Sequence, residues 1–139
     1  MALKEVPMYR SLDPQTSFFG GFLYDRIIPQ DHFLRRLKET VDFSFVNERC
    51  REHYSPDNNG RPGWEPALMF RVLFLQFLHD ISDRDIEEQV NFNLAFKWFV
   101  GLEVDAQAPD ATTLVVFRNR FYTIAVPIRR QRQTPAVIY

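Results

Sequence analysis

One cysteine, five glycines and three histidines are all that this chain of 139 residues holds of those types, and each scarcity excludes something. Cys50 standing alone rules out an intramolecular disulfide framework and suits a reducing compartment. The low glycine count, with 45% hydrophobic and 25% charged residues, argues against a disordered chain, although prolines are frequent at nine. The longest apolar stretch, Ala67–Leu78, is interrupted by Arg71 and Gln76 and is too short to span a bilayer. The opening MALKEVPMYRSLDPQ carries charges and prolines where a signal peptide needs an apolar run. A soluble, cytoplasmic protein without a membrane partner is expected.

What is present suits one domain with a real core, since 14 phenylalanines supply bulk. Net charge is −1, which at face value speaks against nucleic acid. Its distribution differs. Residues 1–109 carry 12 Lys/Arg against 17 Asp/Glu, whereas residues 110–139 carry five arginines against Asp110 alone. A basic end of this kind suits either a polyanion or plain solvent.

Residues 1–28 read as an irregular N-terminal arm, broken by Pro7, Pro14 and the Gly20-Gly21 pair. Pro29 begins a first helix over 29–40, with His32, Phe33, Leu34, Leu37 and Val41 at helical spacing. Asp42 caps a second over 43–53, where Phe43, Val46 and Cys50 share a face. The turn formers of YSPDNNGRPG make residues 54–63 a loop and the internal boundary between a helical arm, 29–53, and a tighter core module, 60–121. A third helix runs from Pro66 to about His79, and ten of the twelve residues from Ala67 to Leu78 are apolar. It is therefore the central buried helix. Ser82 with Asp85 signals a fourth helix over 83–90, and a fifth, about 93–99, ends at Gly101. Asp110 caps a sixth over 111–121. The fold class is all-α.

The sixth helix repays closer reading. Leu114, Phe117 and Phe121 form its apolar stripe, while Thr112, Val116 and Asn119 fall opposite, flanked by Thr113 and Arg120. An amide suits adenine, a guanidinium guanine, hydroxyls phosphate, and a valine the thymine methyl. An ordinary solvated helix face would look the same. The fourth helix, with Asp83, Glu87 and Glu88 outward, would repel phosphates and is not the reader.

Catalytic sets are scarce. His79, Asp80, Asp83 and Asp85 form a carboxylate-rich run, but Asp83 and Asp85 fit the first turn of a helix, where the dipole favours anions. His32 and His53 have no ligand partner at a telling spacing. Cys50 lies in an apolar helical pattern and reads as core. No Gly-rich phosphate loop and no Ser/His/Asp set occurs. No catalytic residue, no metal site and no cofactor are expected, and the chain as it stands is not expected to be an enzyme.

The order GRPGWEPALMFRVLFLQFLHDISDRDIEEQVNFNLAFKWFVGL, then PDATTLVVFRNRF, resembles the N-terminal domain of bacterial insertion-sequence transposases of the InsH-like kind. Arg61-Pro62 with Pro66, the Leu/Phe-rich helix, Ser82–Glu88, the Phe96-Lys97-Trp98-Phe99 cluster and the run from Pro109 to Arg118 carry it. Coverage is about residues 8–121. The resemblance implies a helix-turn-helix-like DNA-binding domain over 29–121 that precedes, in the family, an Asp-Asp-Glu catalytic domain holding two divalent ions. None of that triad maps here. After Phe121 the chain departs into YTIAVPIRRQRQTPAVIY, so a truncated or frameshifted transposase with a poorly ordered tail at 122–139 is expected. The implied partner is double-stranded DNA at the element's terminal inverted repeats. The expected contacts are Thr112, Thr113, Asn119, Arg118, Arg120, Arg61 and Lys97. Two alternatives stand beside this: a module that forms homo-oligomers or joins and inhibits full-length transposase, favoured by exposure of Phe96 and Trp98, and a non-functional remnant.

Overall fold

A computed structural model describes residues 9–10, 18–51 and 63–125. Within them lie seven helices: α1 (Phe18–Ile27), α2 (Phe33–Thr40), α3 (Phe45–Arg51), α4 (Pro66–His79), α5 (Asp83–Phe92), α6 (Leu94–Val100) and α7 (Ala111–Ala125). Two short strands, β1 (Tyr9–Arg10) and β2 (Gly63–Trp64), pair in parallel with Tyr9 opposite Gly63. The fold is all-α in every other described respect.

Helix α4 takes the central place that its apolar composition demands, packing against α3, α5, α6 and α7. Pro66, Ala67, Leu68, Met69, Val72 and Leu75 are buried. Its last turn leaves the core, however, and Phe77 is 87% exposed. Around α4 gather Ile86 and Val90 of α5, Phe96, Phe99 and Val100 of α6, and Leu114 and Phe117 of α7. Leu34 of α2 and Phe43 belong to the same cluster, so one core serves both sides of the expected 54–63 boundary. The Phe43 ring lies 5.6–5.9 Å from those of Phe70, Phe74 and Phe99, within the range of favourable aromatic packing.

The caps follow residue chemistry. Ser82 accepts from the Asp85 amide at 3.1 Å, Asn93 from the Phe96 amide at 3.2 Å, and Asp110 from the Thr113 amide at 2.6 Å. Each satisfies an orphan donor of a first turn. Gly101 closes α6 at φ 97°, a left-handed conformation that a Cβ would strain. Helix α4 is capped from outside itself. Asn47 of α3 accepts from the Ala67 amide at 2.8 Å and donates to Glu65 Oε1 at 2.7 Å. The start of α4 is thereby tied to α3.

Several expectations are corrected. Residues 18–27 are helical, with Gly20-Gly21 inside the helix. Two glycines there cost roughly 0.5–1 kcal/mol each, which burial of Tyr24 and Ile28 offsets. The Tyr24 hydroxyl also donates to the Leu102 carbonyl at 2.8 Å. Helix α2 starts at Phe33 and not at Pro29, because His32 is extended and its Nδ1 accepts from the Leu34 amide. Asp42 accepts from the Ser44 amide at 2.9 Å and makes a turn, which delays α3 to Phe45. Helix α7 continues four residues past Phe121 to Ala125, since no helix breaker precedes Pro127.

Candidate nucleic-acid interface on helix α7

Helix α7 buries Leu114 and Phe117 and half-buries Phe121. The Phe121 ring lies 5.2 Å from that of Phe70 on α4 and 5.7 Å from that of Phe117. With that stripe fixed, helical geometry turns Thr112, Val116, Asn119 and Thr123 outward at spacings of four, three and four. All four are exposed. The Thr123 hydroxyl returns to the Asn119 carbonyl at 3.0 Å, while the Asn119 carboxamide makes no hydrogen bond among the described residues. Arg120 and Tyr122 are exposed beside this stripe.

The two ends of the face differ in charge. Near its start, Asp110 lines a shallow cleft together with Glu87 and Asp105. The Asp110 carboxyl is held below its usual pKa by the Thr113 amide and hydroxyl, so it is an anion at neutral pH. Toward its end, Arg120 approaches α3. Burial pushes the Cys50 thiol up, and the Arg120 charge pulls the other way. Cys50 is fully buried and is the core residue its sequence context predicts. Arg49 and Arg51, flanking it on α3, are both exposed. These two arginines escaped the sequence reading because the chain separates them from Arg120 by some seventy positions. The one available signal was their place in the last turn of a helix.

The seven expected contacts therefore divide. Thr112, Asn119 and Arg120 lie on the exposed face. The Thr113 hydroxyl and amide serve the Asp110 cap. Lys97 is 6% exposed and donates to the Val104 carbonyl at 3.0 Å, so its charge is spent indoors. Arg118 turns toward α4 and α5: it pairs with Asp83, and its Nη2 donates to Gln76 Oε1 at 2.7 Å. Gln76 Nε2 completes the triangle on Asp83 Oδ1 at 2.7 Å. Asp83, expected on the outward face of its helix, is thus turned to α7, which leaves Glu87 and Glu88 on that side. Arg61 lies outside the described residues.

The family model described as Transposase domain (DUF772) matches residues 22–120. The chain belongs to this transposase domain family. No solved structure matches it.

In this transposase domain the Arg118–Asp83–Gln76 triangle locks α7 onto α4 and α5. The Arg118 guanidinium, then Gln76, holds the Asp83 carboxyl below the usual carboxylate range. A depressed folded pKa means that the stabilisation is present above the unfolded value, near 4, and is lost as pH falls through the folded one. Asp83→Asn is therefore expected to destabilise the domain at neutral pH and to flatten the loss of stability below about pH 4. Urea unfolding midpoints across pH 2.5–7 check this; parallel profiles for the two proteins would refute it. Among the described residues, no three His, Cys, Asp or Glu side chains gather into a metal-holding group. No described helix is long and apolar enough to cross a membrane. Phe96 is buried, and Trp98 is half-buried with Arg35 and Lys38 at 4.8 and 4.2 Å from its ring.

Proposed function

We propose that this transposase domain binds double-stranded DNA at the terminal inverted repeats of its element, with α7 as the reader of a helix-turn-helix-like arrangement. The carrying observation is the exposed stripe Thr112, Val116, Asn119, Thr123 on a helix whose other side is fixed in the core. A major groove admits one α-helix. In this reading Asn119 pairs with an adenine edge, Val116 meets a thymine methyl and Thr112 contacts base or backbone. Arg120, Arg49 and Arg51 take phosphates, which favours seating the duplex toward the C-terminal half of α7 and away from Asp110, Glu87 and Asp105. Arg118 acts indirectly, as a positioning residue that sets the angle of α7. Arg61, from the expected contact set, remains a candidate backbone contact. The domain's part is recognition, and no residue of it is assigned a role in strand chemistry. An oligomerisation or inhibitory module would be favoured by exposed Phe or Trp around Phe96 and Trp98; Phe96 is buried, and Trp98 is half-buried beside Arg35 and Lys38.

The test is a binding titration on a duplex carrying the element's end and on a scrambled duplex of equal length. Asn119→Ala is expected to lower the preference between them by about tenfold, as loss of one bidentate base contact does. Equal affinity of the unmodified protein for both duplexes would remove end recognition.

A further inference from the structure

We propose that Lys38 and Arg71, gathered over the C-terminal end of α6, form a binding site for a phosphate oxyanion. Lys38 Nζ donates to the Trp98 carbonyl at 3.0 Å and stands 4.2 Å from the Trp98 ring. Arg71 Nη1 reaches the Val100 carbonyl at 3.4 Å, and its guanidinium lies 5.6 Å from the Phe43 ring. Both cations are thus held by the same helix end, with donors to spare: an ammonium has three and a guanidinium five. Arg35 adds charge, and its Nη1 faces Asp25. It stacks on Trp98 at 4.8 Å, and its Nε and Nη2 N–H groups are committed to the carbonyls of Tyr24, Ile28 and Pro29.

Local compensation falls short. A helix C-terminus supplies about half a negative charge, against three full positive ones. Asp25 meets Arg35 at 3.8 Å, while Asp42 and Glu65 act on Arg71 from a greater distance. Among the described residues neither Lys38 nor Arg71 makes an ion pair. Arg71 Nε is moreover buried without a hydrogen-bond partner, an uncommon condition that shows the guanidinium short of acceptors. The Lys38 ammonium is pushed down to about 8 by burial, then by Arg71 and Arg35. A phosphate oxyanion supplies what is missing: negative charge and several acceptor oxygens that can bridge an ammonium and a guanidinium. The site lies over α6, whereas α7 leans on α3, α4 and α5, and it does not depend on the DNA reading of α7.

The experiment follows the melting temperature of the whole chain in inorganic pyrophosphate, with sodium chloride matching ionic strength in the control. A saturable rise is expected, because a ligand that binds only the folded state stabilises it by mass action. Lys38→Gln and Arg71→Gln should each raise the half-saturating concentration by about tenfold, the worth of one charged hydrogen bond. Lys38→Arg should retain the response, which separates loss of the site from loss of the fold. The Lys38 ammonium, followed by NMR, should titrate higher when pyrophosphate is bound. No saturable rise, or equal half-saturation in the unmodified protein and Lys38→Gln, overturns the site. Competition by duplex DNA would identify a nucleic-acid phosphate as the source, and its absence a free phosphate compound. Asn119→Ala, expected to lose the duplex preference while keeping the pyrophosphate response, keeps failure of either reading distinct.

Discussion

Phe99→Ala is expected to cost about 3–5 kcal/mol of unfolding free energy, the range for removing a fully buried aromatic ring. Phe99 is the largest of the fully buried side chains, with no exposed surface. Its ring lies 5.8 Å from that of Phe43 and 6.4 Å from that of Phe74, so it joins the chain before the 52–62 segment to α4. Truncation would leave a cavity that these rings, each held by other partners, can fill only in part. A domain of this size has roughly 5–15 kcal/mol in hand, so the variant would stand near its unfolding threshold. Chemical denaturation followed by circular dichroism measures the loss. A cost below about 1 kcal/mol would mean that the Phe99 ring does not join α6 to Phe43 and α4 as its burial implies.

The second large effect concerns charge. Arg49→Ala, Arg51→Ala and Arg120→Ala combined should reduce the slope of log affinity against log salt by about three, since each phosphate contact contributes about 0.9. At physiological ionic strength this amounts to a loss on the order of a hundredfold, shared by the element's end and by scrambled duplexes alike. The side chains are exposed, so the melting temperature should move little. Titrations at several salt concentrations separate this from Asn119→Ala, which should change sequence preference and leave the slope alone. An unchanged slope in the triple variant would remove the α3–α7 arginines from the interface.

Local chemistry was readable wherever a residue acts on its neighbours in the chain. Ser82, Gly101 and Asp110 announce helix ends because caps reach only two or three positions. The bounds of α4 followed from Pro66 and its apolar run. Helix α1 was not readable, because Gly20-Gly21 argue locally against it and only burial of Tyr24 and Ile28 reverses the balance. The cap on α4 was equally hidden: it comes from Asn47, twenty residues before the amide it receives.

The candidate site shows the same division. The sequence by itself determined the all-α class and, through its resemblance in the 60–121 motifs, the transposase domain family. It also determined the polar stripe on α7, because a period of 3.6 residues turns Thr112, Val116 and Asn119 away from Leu114 and Phe117. It did not determine which charges remain available. Arg118 and Lys97 read as surface cations until the fold brings Asp83, Gln76 and the Val104 carbonyl to meet them. Arg49 and Arg51 read as ordinary helix-end residues until α3 is placed beside Arg120. Periodicity is a property of one helix, whereas the pairing of a charge depends on which helices become neighbours, and only the tertiary structure decides that.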